Sequence, residues 1–372
     1  MRVLVTTFPG HGHFHPVAPL ALAFQRAGHD VKVATHPAFG KWVESCGVPV
    51  LPAGRSEHES ISHVADLPPQ ERAVQQFTTV AVPPFANDVL AAVGQWRPDL
   101  VVSEEGEHAG PLIASVLGAP SATHSWPAPA RPVAERMARE AALARIWQEF
   151  GQPGPARAYG DVYLDCCPPP LQTDAIGSIG GAMPVRPVLF DGPPDAPTVP
   201  WLADLDRPVV FVSLGTVALF ARPDTLRLLV DAAAAEAATV VVATGPHPTS
   251  VIPEQAKVRC ARYVPLSAVL PTTDLVVSHG GASTTVACVL TGVPHLVVPQ
   301  GAPSQRRAAA RVAALRIGAT FDEPGFDATT VRAAMRTLLN DGAIRARLAA
   351  VRSTLDGLPG PDDVARHLAG PF

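Results

Sequence analysis

The run "DLVVSHGGASTTVACVLTG", residues 274–292, decides how the chain folds. "DLVVS" (274–278) is a short, β-branched strand, and "TVACVLTG" (285–292) carries a helical pattern. Between them stands "HGGAST" (279–284), with no room for more than a tight turn. A strand that turns on glycines straight into a helix is the joint of a βαβ unit. Such a joint aims backbone N–H groups and the positive end of a helix at one point, which suits a phosphate. His279 adds a ring donor there, and Ser283, Thr284 and Thr285 add hydroxyls. The other reading is a plain turn whose glycines serve only a positive φ.

Working outward, the same alternation recurs. "PVVFVSLGT" (208–216) is a strand ending in a Gly turn, "PDTLRLLVDAAAAEA" (223–237) a helix, and "TVVVATG" (239–245) a further strand. In the first half, "RVLVTTF" (2–8) and "DVKVATH" (30–36) are strands around "PVAPLALAFQRAGH" (16–29), where Leu20, Ala23, Phe24 and Ala27 keep helical spacing. "DLVVSE" (99–104) and "APSATHS" (119–125) flank the helical "EHAGPLIASVLG" (107–118). "MPVRPVLFDGPPDAPTVPW" (183–201) is dense in Pro and Gly and reads as a linker. The expectation is an α/β chain of two doubly wound, parallel-sheet domains, 1–190 and 191–355. The segment 356–372, with the helical "PDDVARHLAG", is free to pack on either.

The composition sets bounds. The chain has 372 residues, 47% of them hydrophobic and 17% charged, enough for a sizeable core. A net charge of −4 gives no basic footprint, so no nucleic-acid partner is expected. Cys46, Cys166, Cys167, Cys260 and Cys288 are odd in number and lack C-x-x-C spacing. Buried thiols in a reducing compartment fit them better than a disulfide framework or a zinc knuckle. "MRVLVTTFPG" enters a strand at once, without the apolar core of a signal peptide. No apolar run reaches membrane-spanning length; Asp231 and Glu236 interrupt the most Ala-rich one. A cytoplasmic protein is expected.

The tip of the first strand reads "GHGHFHP" (10–16), with His11, His13 and His15 alternating. These rings could bind a metal, fill a turn, or move a proton. Zinc wants three or four convergent ligands, and alternate positions converge only on a strand-like loop. No fourth ligand is near, so no metal site is expected. Pro16 suits the first position of a helix, which makes residues 11–15 a loop at the carboxyl end of the sheet.

Taken together, the motifs resemble those of the nucleotide-sugar glycosyltransferases of the GT1 family. "HGGASTT", preceded by "RYVPLSAVLP" and followed by "GVPHLVVPQ", is similar to their donor-binding motif. "GHGHFHP" matches their G-H-x-x-P signature, and "FVSLGT" the start of their second domain. "YLDCCPPPLQ" and "RPVLFDG" are similar to bacterial enzymes that decorate polyketides and enediynes, such as the calicheamicin glycosyltransferases. The resemblance covers nearly the whole chain. It implies the GT-B fold, two Rossmann-like domains facing across a cleft.

The resemblance also implies roles. His13 would be the general base, as neutral imidazole, with a pKa of about 6.5, suits that task. A carboxylate should orient it. Glu104, at the end of its strand, is preferred over Glu105 and Glu107, which are expected in a solvated turn. Thr216, Tyr263 with Val264, His279, Gly280, Gly281, Ala282, Ser283, Thr284 and Gln305 would bind the nucleotide sugar, Tyr263 by stacking on the base. Phe14, Phe77, Phe85 and Trp126 would line the acceptor pocket, with the segment "RPVAERMAREAALARIWQEF" a further candidate or a plain surface helix. "DLD" (204–206) resembles the metal-binding motif of glycosyltransferases of another fold, but precedes a strand and reads as surface.

Two departures stand out. Ala287 replaces a Glu that relatives set on the ribose hydroxyls, which fits a 2′-deoxyribose and thus a dTDP-sugar. Pro303 replaces the Asp that relatives set on the sugar. The expectation is an inverting, metal-independent transfer of a deoxysugar from dTDP to a hydroxyl of an apolar natural product. The dTDP-sugar is then a co-substrate, and no cofactor is needed; a homodimer is possible. The alternatives are a non-catalytic partner protein of the same fold and a nucleotide-sugar epimerase.

Overall fold

Runs of Val and Leu make the central strands here, because both faces of each sheet are covered. The computed structural model describes residues 1–152, 154–193, 199–321 and 326–370. The chain divides into two compact units. The first holds Met1–Cys167, Thr173–Pro194 and Leu358–Phe372; the second holds Pro168–Gln172 and Asp195–Gly357. Residues 194–198 of the expected linker lie outside the described residues.

The first unit contains strands β1 (Arg2–Thr6), β2 (Asp30–Thr35), β3 (Val50–Pro52), β4 (Leu100–Glu104), β5 (Ser121–His124), β6 (Val162–Asp165) and β7 (Ala182–Pro184). They form one sheet in the order β3-β2-β1-β4-β5-β6-β7, each neighbouring pair parallel. The second unit contains β8 (Val209–Ser213), β9 (Thr239–Ala243), β10 (Val258–Ala261), β11 (Leu275–Ser278), β12 (His295–Val297) and β13 (Gly318–Thr320). Its order is β10-β9-β8-β11-β12-β13, again parallel. Strand order reverses between β1 and β4 in one sheet and between β8 and β11 in the other. At such a switch point neighbouring connections leave in opposite directions and open a crevice at the carboxyl ends of the strands.

The helix His11–Arg26 follows β1 and differs from expectation. Residues 11–15 are helical, not a loop, and Pro16 lies inside the helix. The carbonyl of Gly10 accepts from the N–H of His13 at 3.1 Å and of Phe14 at 3.0 Å, so the first turn closes ahead of the proline. Pro16 then forfeits one backbone bond, worth about 1 kcal/mol net. Full burial of Phe14 returns about 1.5–3 kcal/mol, and Val17, Ala18 and Phe24 are buried as completely. The apolar face therefore outweighs the missing N–H. Val364, Ala365 and Leu368 of the last helix, Pro361–Leu368, belong to the same core. Arg26 and Asp362 clamp the two helices at the surface, 2.6 Å apart.

Candidate active site

The first switch point assembles a histidine and a carboxylate. His13 stands in the opening turns of the helix after β1; Glu104 ends the adjacent strand β4. Nδ1 of His13 donates to Oε1 of Glu104 at 2.7 Å. Glu104 is fully buried, and its carboxylate also accepts from the N–H of Phe8 at 3.3 Å, from the N–H of Gly106 at 2.7 Å and from the indole N–H of Trp126 at 2.7 Å. With Nδ1 committed as a donor, Nε2 of His13 is the ring atom that can take a proton.

Helical geometry answers why three histidines alternate. Residues four apart share a face and residues two apart do not. The rings of His11 and His15 meet at 5.2 Å, while His13 turns toward Glu104. His15 accepts from the indole N–H of Trp42 at 3.3 Å, and burial, aided by His11, pushes its pKa down to about 3. His15 is thus a neutral, structural imidazole. Among the described residues, no three His, Cys, Asp or Glu side chains gather in a way that could hold a metal.

The acceptor-lining residues divide. The ring of Phe77 lies 5.7 Å from that of His13 and 5.0 Å from that of Phe8, and the ring of Trp126 lies 5.1 Å from that of His13. Phe14 and Phe85 are corrected: both are core residues. Phe14 is 0% exposed beneath the helix, against Phe39 and Phe190. Phe85 is buried under the turn at Gly54, where an added Cβ would meet its ring at 2.6 Å. The face of each helix that carries them is the inward one.

Glu105 and Glu107 are not in a solvated turn either; both are buried. Glu105 pairs with Arg131 at 2.9 Å. Glu107 accepts from the N–H groups of Ala109 at 2.6 Å and Gly110 at 2.9 Å, capping the helix Ala109–Leu117. Burial pushes its pKa up to about 7. Sequence reasoning missed Glu57, from the helix Glu57–Ser62, whose pKa burial raises and the charge of His13 lowers in part. Arg131 opens the segment "RPVAERMAREAALARIWQEF", but its pairing with Glu105 was not read from it. Glu57 follows β3 and Arg131 follows β5, and no local pattern encodes the approach of Glu57 to His13 or of Arg131 to Trp126.

The second switch point carries the glycine turn. Gly280 has φ +83°, and an added Cβ would meet Val297 at 2.7 Å, so both conformation and space require glycine. The helix Ala282–Thr291 then starts with no side-chain cap on Gly281. Its first N–H groups, from Ala282, Ser283 and Thr284, carry the positive end of the helix. The ring of His279 fits between Gly215, after β8, and Gly281; a Cβ on either would meet ring atom Cε1, at 2.7 and 2.8 Å. Burial pushes His279 down to about 4, so near neutral pH its ring is uncharged. Its Nδ1 is buried with no hydrogen-bond partner.

Thr216 is exposed on the loop after β8, Tyr263 half-buried, and Val264 buried. Ser283 and Thr284 are partly open, but the Thr285 hydroxyl donates to the carbonyl of Gly281 at 3.0 Å and is spent on the helix. Gln305 is 4% exposed, and its side-chain oxygen accepts from the N–H of Gln300 at 2.7 Å and of Ala302 at 3.4 Å. That oxygen holds the turn before the helix Pro303–Ala314, where Pro303 is the first residue. Ala287 is fully buried in the helix Ala282–Thr291. Asp204 and Asp206 of "DLD" are exposed.

Known proteins of this kind are numerous. Residues 73–215 match the family described as "Erythromycin biosynthesis protein CIII-like, N-terminal domain", and residues 227–370 match its C-terminal domain. The L-demethylnoviosyl transferase of Streptomyces niveus is 33% identical, over 99% of this chain and 98% of its own. The structure of the glycosyltransferase SsfS6 of Streptomyces sp. SF2575, complexed with thymidine diphosphate, superposes with a TM-score of 0.82 at 27% identity, over 99% of each chain. The glycosyltransferase VinC in complex with dTDP has a TM-score of 0.82 at 26% identity, over 99% of this chain and 98% of its own.

Proposed function

The chain belongs to the erythromycin biosynthesis protein CIII-like family, has the GT-B fold and is a glycosyltransferase of antibiotic natural-product pathways, and on that premise we propose an inverting, metal-independent transfer of a deoxysugar from dTDP. The acceptor is a hydroxyl on an apolar aglycone. The observation that carries the reading is the 2.7 Å contact between His13 and Glu104 at the switch point of the first sheet.

The proton moves first in this scheme. Nε2 of His13 takes it from the acceptor hydroxyl, and Glu104 stabilises the imidazolium that forms. The acceptor oxygen bonds to the anomeric carbon from the face opposite the leaving group. The bond from that carbon to the diphosphate oxygen breaks, and the electron pair leaves with dTDP. The first N–H groups of the helix Ala282–Thr291 and the ring of His279 meet the charge that develops there. Thr216 reaches the distal phosphate and Tyr263 stacks on thymine. Inversion follows from the single displacement. Phe77 and Trp126, half-buried aromatic rings beside His13, suit an apolar acceptor.

The test mixes the protein with a dTDP-deoxysugar and a panel of hydroxylated polycyclic aglycones in EDTA, and reads the anomeric configuration of the product by NMR. A glycoside of inverted configuration is expected. Retention of configuration, or activity restored only by added magnesium or manganese, would overturn the mechanism. Binding of dTDP without any product would favour a non-catalytic role. An altered sugar nucleotide without acceptor would favour an epimerase.

A further inference from the structure

We propose that Trp126 is a positioning residue for this reaction: its indole N–H fixes the buried Glu104 carboxylate so that one oxygen faces His13. The inference rests on His13 being the base. Sequence reasoning gave Trp126 a different task, as a wall of the acceptor pocket.

The carboxylate of Glu104 has room for about four donors, and it has four. Oε1 takes Nδ1 of His13 at 2.7 Å and the N–H of Phe8 at 3.3 Å. Oε2 takes the N–H of Gly106 at 2.7 Å and Nε1 of Trp126 at 2.7 Å. The Phe8 and Gly106 donors are backbone groups. Trp126 is the side chain that opposes His13 across the carboxylate. A turn of the carboxylate about its own axis would break the Trp126 bond and the His13 bond together. The indole therefore resists the motion that would let His13 swing free.

Trp126 is itself held. Its backbone N–H donates to Oε2 of Glu105 at 3.1 Å. The guanidinium of Arg131 lies 4.6 Å above its ring, within cation–π range. Arg131 pairs with Oε1 of Glu105 at 2.9 Å, and the two side chains are 8% and 4% exposed. Tyr159 donates its hydroxyl to the same oxygen at 3.3 Å. A pair this buried adds little net stability, because desolvation offsets its attraction. What it does here is fix a backbone and a ring. Glu105 holds both the Trp126 amide and the cation on the indole face, while Glu104 holds the indole edge. The ring of Trp126 in turn meets that of His13 edge-on, at 5.1 Å and 84°.

Trp126→Phe keeps an aromatic ring beside His13 and under Arg131 but removes the N–H. Loss of a donor to a charged acceptor should lower kcat by about tenfold to hundredfold. KM for the donor should stay near wild type, and KM for the acceptor, which still meets an aromatic ring at position 126, should change less than kcat. The acid limb of the kcat/KM profile should move to higher pH, since the dyad, with one donor fewer on its carboxylate, takes up its proton more readily. Glu57, which also acts on His13, is unchanged in the variant and cannot cause that movement. A raised acceptor KM with kcat and profile unmoved would make Trp126 a pocket wall and overturn the proposal. If Trp126→Phe does not fold, β-benzothienylalanine at position 126, isosteric and lacking the N–H, must show the same shift. His13→Ala in parallel separates the two ideas. If it keeps full turnover, the base assignment fails; if it is inactive while the Trp126 variants match wild type, only the positioning role fails.

Discussion

Nδ1 of His13 and Oε1 of Glu104 lie 2.7 Å apart although 91 residues separate them in the chain. Parallel pairing of β1 with β4, Thr6 opposite Ser103, brings their strand ends side by side. Glu104→Gln keeps the shape but replaces a carboxylate oxygen by an amide. It can no longer stabilise imidazolium and need not hold Nδ1 as the donor. Turnover should fall by roughly 10²–10⁴, as for His13→Ala, the range for a lost general base. Calorimetric dTDP affinity should be unchanged in both. Wild-type turnover in Glu104→Gln would remove Glu104 from the mechanism.

His279→Ala tests the nucleotide half. Its ring stands with the first N–H groups of the helix Ala282–Thr291, and its Nδ1 is left without a partner. Losing a donor to a diphosphate should weaken dTDP binding by about 1.5–3 kcal/mol. Calorimetry reads this directly. Affinity equal to wild type would move the diphosphate elsewhere.

Gly106→Ala tests how closely the first site is packed. The new Cβ would lie 2.7 Å from Cζ2 of Trp126 and 3.0 Å from Cε1 of His13. Neither ring can give way freely, because both are bonded to Glu104. The methyl group should lower kcat while leaving dTDP affinity alone, and cost about 1–3 kcal/mol of stability by overpacking. A variant with wild-type kcat and Tm would mean the rings yield cheaply.

Strands built on a run of Val and Leu were legible in the sequence, as "DLVVS" and "RVLVTTF" become β11 and β1. β3, β7, β12 and β13 were not, since three residues are too few to carry a period. The helix start at His11 was missed because proline is a breaker by local rules, and only burial of Phe14 and Phe24 decides against them. Glu104 was legible from its place at a strand end. Trp126, Arg131 and Glu105 were not assignable to it, because their bonds join segments after different strands. Phe14 and Phe85 were assigned to the acceptor by residue type, and only the packed face of each helix shows that they belong to the core.

Buried histidines set the pH dependence of stability. Burial lowers His15, His108 and His295 from 6.5 to about 3, and His124 and His279 from 6.5 to about 4. Below pH 6.5 the unfolded chain therefore binds protons that the folded chain refuses. The stabilisation is complete above 6.5 and is lost as pH falls toward the folded values, by at most about 1.4 kcal/mol per pH unit for each ring. Glu107 opposes this, because its folded value of about 7 exceeds its ordinary 4.5, so it favours the folded state increasingly as pH falls through that window. Five groups outweigh one. Tm from scanning calorimetry should decline from pH 6.5 to 4.5, and a flat or rising Tm would contradict the burial of these rings as neutral imidazoles.

Pro303 bears on the choice of sugar. As the first residue of the helix Pro303–Ala314 it has neither an N–H nor a side-chain acceptor to offer. The side-chain oxygen of Gln305 is engaged by Gln300 and Ala302. A sugar rich in hydroxyls would thus lose charge-assisted bonds on the Pro303 side and find only the Gln305 amide nitrogen in exchange. A sugar lacking a hydroxyl there would forfeit less, and could pack against the pyrrolidine ring. The expected order is a higher kcat/KM for a dTDP-deoxysugar than for dTDP-glucose. Pro303→Asp restores an acceptor, and Asp is well tolerated in the first turn of a helix. It should shift the ratio back toward glucose while dTDP affinity stays constant. Side-by-side kcat/KM values for the two donors, in both proteins, decide it. Faster glucose transfer by the wild type would show that Pro303 does not select the sugar, and would leave the roles of His13 and His279 untouched.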